Sequence, residues 1–264
     1  MLIFLSKSCF SRLPPTKFLE YPGTVFAINT DGTSFTNLHS FSATSGPFGT
    51  NSDGVQPYGG VILSGNTLYG TTTSGGTSGN GTVFKINTDG TGFTNLHSFT
   101  NVSDGLVPSG GLILSGNTLY GTTRFGGSLG YGTIFKVNID GTGSTNLYSF
   151  TGGDDGRNPS AGLILSGNTL YGTTSAGGSS RNGTVFSLSF TPQLTIIPSG
   201  ADVVLTWPIN NAGFDYSGFN LQSTTNLVPS AVWTTVSPMP VVVNGQYTVT
   251  NPISGTQQFY RLSQ

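Results

Sequence analysis

Charge is scarce in this chain: of 264 residues only 9 are Lys or Arg and 10 are Asp or Glu, 7% together, where a globular domain ordinarily carries about 25%. That shortage excludes helical bundles and coiled coils, which are built from Ala, Glu, Lys, Leu and Arg. It also excludes charge-driven disorder, which the 18 Phe and 10 Tyr oppose as well. A net charge of −1 offers no basic surface to displace counterions, so no nucleic-acid partner is expected. Cysteine is nearly missing. Cys9 stands alone, which rules out an intramolecular disulfide and any Cys-based zinc or iron–sulfur site. His39 and His97 are the only imidazoles, so a transition-metal site would depend on carboxylates committed elsewhere; no metal and no cofactor is expected. No apolar run approaches the ~20 residues of a membrane-spanning helix, and no membrane insertion is expected. Met1 to Leu5 is apolar, too short for the 7 to about 15 residues of a secretory core and without a preceding charge, so it makes no convincing signal peptide.

Glycine is in excess, 40 of 264 residues, and it recurs with a period. VILSGNTLYGTT at 61–72 returns as LILSGNTLYGTT at 112–123 and 163–174, a spacing of 51 each time. GTVFAINTDGTSFTNLHSF at 23–41 returns as GTVFKINTDGTGFTNLHSF at 81–99 and GTIFKVNIDGTGSTNLYSF at 132–150, at spacings of 58 and 51. A fourth copy opens at Gly183 as GTVFSLSF and breaks off, and the seven additional residues of the first period fall between Phe41 and Asp53. Such a period marks units that bury their faces against their neighbours.

Each period reads as four short strands: 82–87, a turn at 88–92, 94–99, then 112–114, a Ser-Gly-Asn turn and 118–123. Two hairpins every ~50 residues are what a propeller blade requires. The expected fold is therefore all-β: a β-propeller-like array of four-stranded repeats over 23–190, followed by a small β-sandwich. The strands amount to about 3.25 blades where closed rings have 4 to 8, so the array is expected to be incomplete. It is also expected to begin in mid-blade, because KFLEYP stands where a LYGTT copy is due, and 1–22 read as an atypical N-terminal segment. Open blade ends invite self-association. The run LILSGNTLYGTT, a Gly-Gly pair and NGTVFKINTDG resembles the Gloeobacter/Verrucomicrobia (GloVer) tandem repeat of bacterial exported proteins. The resemblance implies a propeller-like region outside the cytoplasm, extracellular or at the cell surface. It implies no catalytic residue.

After Phe190 the LYGTT vocabulary stops and both Trp residues appear, so 191–264 read as a second domain. Strand-like runs at 194–197, 202–207, 218–223, 233–236, 246–250 and 257–262 suggest a small sandwich. Leu205-Thr206-Trp207, the run from Leu221 to Leu227, Trp233 and Phe259-Tyr260-Arg261-Leu262 resemble fibronectin-III-like terminal modules.

Hydrolytic chemistry on such a scaffold would need two carboxylates in different environments. Six of the ten acids repeat: Asp31, Asp89 and Asp140 in the hairpin turn, and Asp53, Asp104 and Asp155 before Gly in the longer loop. An Asp-Gly in every copy is turn chemistry, which leaves Asp154-Asp155 as the one unrepeated pair. His39 and His97 recur at one position, where the third copy has Tyr148; Tyr69, Tyr120 and Tyr171 recur in LYGTT, and both sets read as architecture. The Gly-rich stretches GGTSGNG and GGSLGYG sit between strands, without a Lys or a following helix, so they are not phosphate loops. No catalytic residue is assigned.

Residues that break the repeat are better candidates. The tight turns lie on one edge of each blade and the variable loops on the other, and loops carry function more often than scaffold. Phe48, Tyr58, Arg124, Phe125, Tyr131, Arg157 and Arg181 stand there without equivalents in the other copies. An aromatic and Arg set of this kind suits sugar stacking or a partner patch. The expectation is a non-enzymatic exported repeat protein binding glycan or a surface protein. A polysaccharide hydrolase or lyase on the same scaffold is one alternative, and a truncated fragment without independent function is another.

Overall fold

The computed structural model of the chain describes residues 2–6, 22–100, 102–211, 214–253 and 257–264; Cys9, Glu20 and most of the KFLEYP run lie outside them. Every regular element among the described residues is a strand. The chain divides into two compact units, Met1–Ser166 with Leu170–Leu188, and Gly167–Thr169 with Ser189–Gln264.

In the first unit each copy of the repeat makes an antiparallel sheet whose consecutive strands lie side by side. Ile62–Ser64, Thr67–Thr72, Thr82–Asn87 and Thr94–Ser98 form one four-stranded sheet in that order. Ile113–Ser115, Thr118–Thr123, Thr133–Asn138 and Thr145–Ser149 form the next. A sheet thus opens on the LILS strand and closes on the TNLHS strand. The two Gly-rich tight turns fit because Gly65 and Gly116 adopt φ 57° and 56° and Gly90 and Gly141 φ 85° and 88°, conformations that a Cβ disfavours. Before these two sheets comes one of three strands, Leu2–Ser6, Thr24–Ile28 and Thr36–Ser40. Leu2–Ser6 pairs with Thr24–Ile28 from Leu2↔Ile28 to Ser6↔Thr24, the place that LYGTT takes from Leu68↔Ile86 to Thr72↔Thr82. Backbone pairing needs no particular side chains, so LIFLS fills a position that the repeat pattern alone left open. The last sheet holds Ile164–Ser166, Thr169–Ala176 and Thr184–Ser189, plus the short Arg157–Pro159 paired to Thr169–Ala176.

The cores lie between sheets, not within them. Strand Thr82–Asn87 sends Phe84 and Ile86 into a cluster with Val25, Ala27, Leu38 and Phe41 of the preceding sheet. From the opposite face Val83 joins Leu112, Leu119, Phe135 and Val137 of the following one. Both faces are buried, as stacked sheets demand. A ring pair recurs at each junction: Phe41 meets Phe84 at 5.4 Å, Phe99 meets Phe135 at 5.1 Å and Phe150 meets Phe186 at 5.0 Å, all edge to face, the arrangement ring quadrupoles prefer. Buried threonines tie strands within a sheet, Thr72 to Thr82 at 2.9 Å and Thr123 to Thr133 at 2.7 Å. Others tie neighbouring sheets, with Thr71 donating to Gly110 O and Thr122 to Ala161 O, each at 3.3 Å.

Among the described residues the second unit holds two larger sheets and a two-stranded one, Asn210–Asn211 with Phe214–Asp215. Thr195–Ser199, Asp202–Pro208, Gln246–Pro252 and Val241–Val243 make one, in that order; Thr234–Thr235, Asn220–Thr224 and Phe259–Ser263 make the other. Leu205, Trp207 and Val249 of the first share a buried core with Leu221, Val236 and Leu262 of the second. Three strands fall outside the six runs expected from sequence: Asn210–Asn211, Phe214–Asp215 and Val241–Val243.

Candidate functional site

The variable loops gather on the edge of the first unit opposite the tight turns, held by a device repeated in each copy. Gln56, Val107 and Asn158 all have φ near +60°, at 59°, 60° and 57°, a region costly for a β-branched residue such as valine. Their backbone N–H groups donate to Pro22, Asn80 and Tyr131 carbonyls at 2.8, 3.0 and 2.8 Å. Their own carbonyls accept from Thr73 N, Arg124 N and Ser175 Oγ at 3.1, 3.0 and 2.9 Å. Each such residue staples the loop of one sheet to that of the next, which holds the loop edge in place.

The two sets of repeated aspartates do different work. Asp31, Asp89 and Asp140 each accept from the N–H and hydroxyl of a threonine two residues on, at 2.9 and 2.6, 2.9 and 2.7, and 2.8 and 2.7 Å. Those donors hold all three carboxyls below the usual range. Asp53, Asp104 and Asp155 are not local turn formers. Asp155 accepts from Thr151 N at 2.7 Å, Thr151 Oγ1 at 2.6 Å and Tyr148 OH at 2.9 Å. Burial alone would raise the Asp155 carboxyl, but these donors hold it low. Asp104 accepts from Thr100 N at 3.0 Å and faces His97 Nε2 at 3.5 Å. Asp53 accepts from Ser42 N at 2.9 Å and the Ser42 hydroxyl, and meets His39 Nε2 at 3.1 Å. The acid ties the end of the TNLHS strand to the start of its loop. The seven additional residues of the first copy bulge without disturbing this tie, closed by the Ser45↔Thr50 bridge. His39 and His97 are therefore structural partners of a repeated acid; Ser144 Oγ reaches the same His97 Nε2 that faces Asp104, at 3.3 Å, whereas a nucleophile triad needs serine and acid on opposite ring nitrogens. Burial pushes the His97 imidazole down, against the pull of Asp104.

Four of the seven residues singled out in the sequence come together. Arg124 lies over the Phe125 ring at 5.1 Å and Arg157 over the Tyr131 ring at 5.9 Å. The pairs are neighbours: a Cβ on Gly132, next to Tyr131, would lie 3.0 Å from Arg124 O and 2.6 Å from Pro159 Cδ. Arg124, Phe125 and Arg157 are exposed and Tyr131 half-buried. Phe48 is apart, 78% exposed in the bulge of the first copy, with its carbonyl against Gly79. Tyr58 is exposed beside Gly59, and Arg181 is exposed in the last copy's loop at φ 60°.

Sequence reasoning missed one feature. A pocket of about 130 Å³ opens between the third and last sheets, lined by Ile134, Tyr148, Phe150, Asp155, Phe186, Ser187 and Leu188. Among the described residues the last sheet has no TNLHS strand to cover the gap. The signal was the copy that breaks off after GTVFSLSF. Among the described residues no group of three or more His, Cys, Asp or Glu could hold a metal ion, and no helix is long and apolar enough to cross a membrane.

TolB from Acinetobacter baumannii is similar at 12% identity over 73% of this chain and 47% of its own, with a TM-score of 0.38. The tricorn protease is similar at 12% identity over 70% of this chain and 23% of its own, with a TM-score of 0.28. The chain thus spans less than half the length of either structure. No curated protein matches it. The Gloeobacter/Verrucomicrobia repeat matches residues 22–200, well over half of the sequence, and the chain belongs to that repeat family.

Proposed function

We propose that this protein is a non-catalytic, exported binding scaffold, in which an incomplete propeller-like array holds a loop edge that binds glycan. Its second unit is a small sandwich of the fibronectin-III-like kind. The observation that carries this reading is the cluster of Arg124, Phe125, Tyr131 and Arg157 on adjoining loops. Ring faces stack on the apolar C–H face of a sugar, while guanidinium groups supply donors to its hydroxyls or carboxylates. The repeat does not dictate these side chains: Phe125 stands where other copies have Ser74 and Ala176, and Arg124 where they have Thr73 and Ser175. Export rests on the family resemblance.

Catalysis has less support. The unrepeated pair Asp154-Asp155 loses one member to the loop, since Asp155 is engaged by Thr151 and Tyr148. A hydrolase needs two carboxylates tuned apart for acid and base work. A glycan array with the intact protein, repeated with an Arg124→Ala/Phe125→Ala variant, tests the proposal. Binding to at least one glycan, lost in the variant at an unchanged melting temperature, is the expected result. Binding that survives in the variant, or product release from a bound polysaccharide, would contradict it.

A further inference from the structure

The stack of sheets has a direction, and its last sheet shows bare what the others cover. In each interior sheet the residue after the first Thr of the GTVF strand points toward the following sheet: Val83 is 0% exposed and Ile134 1%, but Val185 at the same position is 81% exposed. Ile62 packs at the edge of the core that Tyr69 and Val83 build, whereas Ile164, its counterpart, is 67% exposed and Tyr171 is exposed as well. The opposite face, which each interior sheet turns toward its predecessor with Ile86 or Val137, belongs in the first sheet to Ile28, half-buried, and Phe35, 63% exposed. One end of the unit therefore carries the surface that the other end is shaped to receive.

We propose that the chain self-associates head to tail, the last sheet of one copy, through Ile164, Tyr171 and Val185, taking the first sheet of a second copy around Ile28. The occupant follows from an interface this chain already makes internally, between sheets of the same sequence. One detail of backbone agrees. Gly59 and Gly110 leave no room for a side chain, since a Cβ there would lie 2.7 Å from Gly110 O and 2.5 Å from Ala161 O of the next copy. The third copy has Ala161 at that position, and among the described residues the first sheet has three strands with no LILS strand to strike the methyl group. The contact is heterologous, so it closes into a ring or runs on as a filament according to the rotation between copies. Apolar area removed from water drives it.

Sedimentation velocity on the full chain over a hundredfold range of concentration tests this. The expected result is a mass that rises from 27.4 kDa to multiples of it. Val185→Glu, at a position that makes no interior contact, should leave the melting of dilute protein unchanged and hold the chain as a monomer throughout. Ile28→Glu should do the same, and an equimolar mixture of the two variants should recover a two-molecule species, because one intact head meets one intact tail. Arg124→Ala/Phe125→Ala, on the loop edge, should associate like the parent even where it loses glycan, which separates this proposal from the glycan-binding one. A parent that stays monomeric overturns the proposal. So does association that survives Val185→Glu, or that survives Ile28→Glu, or a mixture that stays monomeric.

Discussion

Tyr120 and Tyr171 occupy the same place in the same LYGTT strand, yet the first is 0% exposed and the second 38%. The strands around them pair alike: Thr118–Thr123 with Thr133–Asn138, and Thr169–Ala176 with Thr184–Ser189. What differs is the neighbour, since a following sheet covers only the first. Side chains in this array acquire their energetic weight from the adjacent copy, as expected where each repeat cannot bury both faces by itself. The repeat specifies which residues are available for burial; position along the stack decides which are buried.

The comparison is sharpest when the paired residues are truncated. Tyr120→Ala should cost about 3–5 kcal/mol in denaturant unfolding, the range for emptying a large core site. Tyr171→Ala should cost less than about 1 kcal/mol in the monomer. Equal losses would break the comparison.

A glycine probe comes next. Gly105 at φ 107° would place a Cβ against Thr123 Oγ1 and Cγ2, so Gly105→Ala combines backbone strain with overpacking and should cost about 2 kcal/mol or more. Gly130, at φ 82° but with nothing near its Cβ position, should lose only the conformational part on the same substitution, about 1 kcal/mol. Similar in size to the Gly130 effect and of opposite sign, Val107→Asn should stabilise by about 1 kcal/mol, because asparagine tolerates positive φ better than valine and the next copy already uses Asn158 there. Differential scanning calorimetry reads all three changes.

The pH dependence compares the second and third copies. Burial lowers the His97 imidazole below 6.5, so the unfolded chain takes up that proton first and stability falls as pH drops from 6.5 through the depressed value. The carboxyls of Asp31, Asp89, Asp140 and Asp155, all lowered from 3.8, add a second loss only at more acid pH, with the same sign. His97→Tyr installs the side chain that the third copy uses at Tyr148. Its melting temperature should fall less than the parent's between pH 7 and pH 5, with the more acid limb kept. Last and smallest, Arg124→Ala/Phe125→Ala should change stability by under about 0.5 kcal/mol by thermal melting, since both residues are exposed.

Much of the first unit was legible because its periodicity is written in strands and turns. The strands expected at 82–87 and 118–123 are those observed, Thr82–Asn87 and Thr118–Thr123. The role of the glycines was legible only in part. Gly54, Gly105 and Gly156 read as turn residues after Asp, but each also yields space to a buried threonine of the neighbouring strand, a contact between segments about 18 residues apart that no local pattern shows. Likewise Asp155 reads as turn chemistry, yet it engages Tyr148 and Thr151. The second unit has no repeat to check one strand against another, and its short strands Asn210–Asn211 and Phe214–Asp215 lie in an Asn- and Gly-rich stretch that reads as loop. The loop cluster was legible as a set of exceptions to the repeat, whereas the joining of Arg157 with Tyr131 depends on how successive loops are stapled, through the Asn158 N–H donated to the Tyr131 carbonyl.

Amide hydrogen exchange tests most directly the claim that neighbouring copies set stability. Strands Thr118–Thr123 and Thr169–Ala176, TLYGTT and TLYGTTSA, begin with the same six residues, and each lies between an ILS strand and a GT(V/I)F strand of its own sheet. At concentrations where the protein is monomeric, amides of the first, in an interior sheet, should exchange about a hundredfold or more slowly than those of the second, in the last sheet, because the first opens only when the core on both its faces is lost. Equal protection in the two strands would contradict the account, since it would mean that a single sheet holds itself together without a following neighbour.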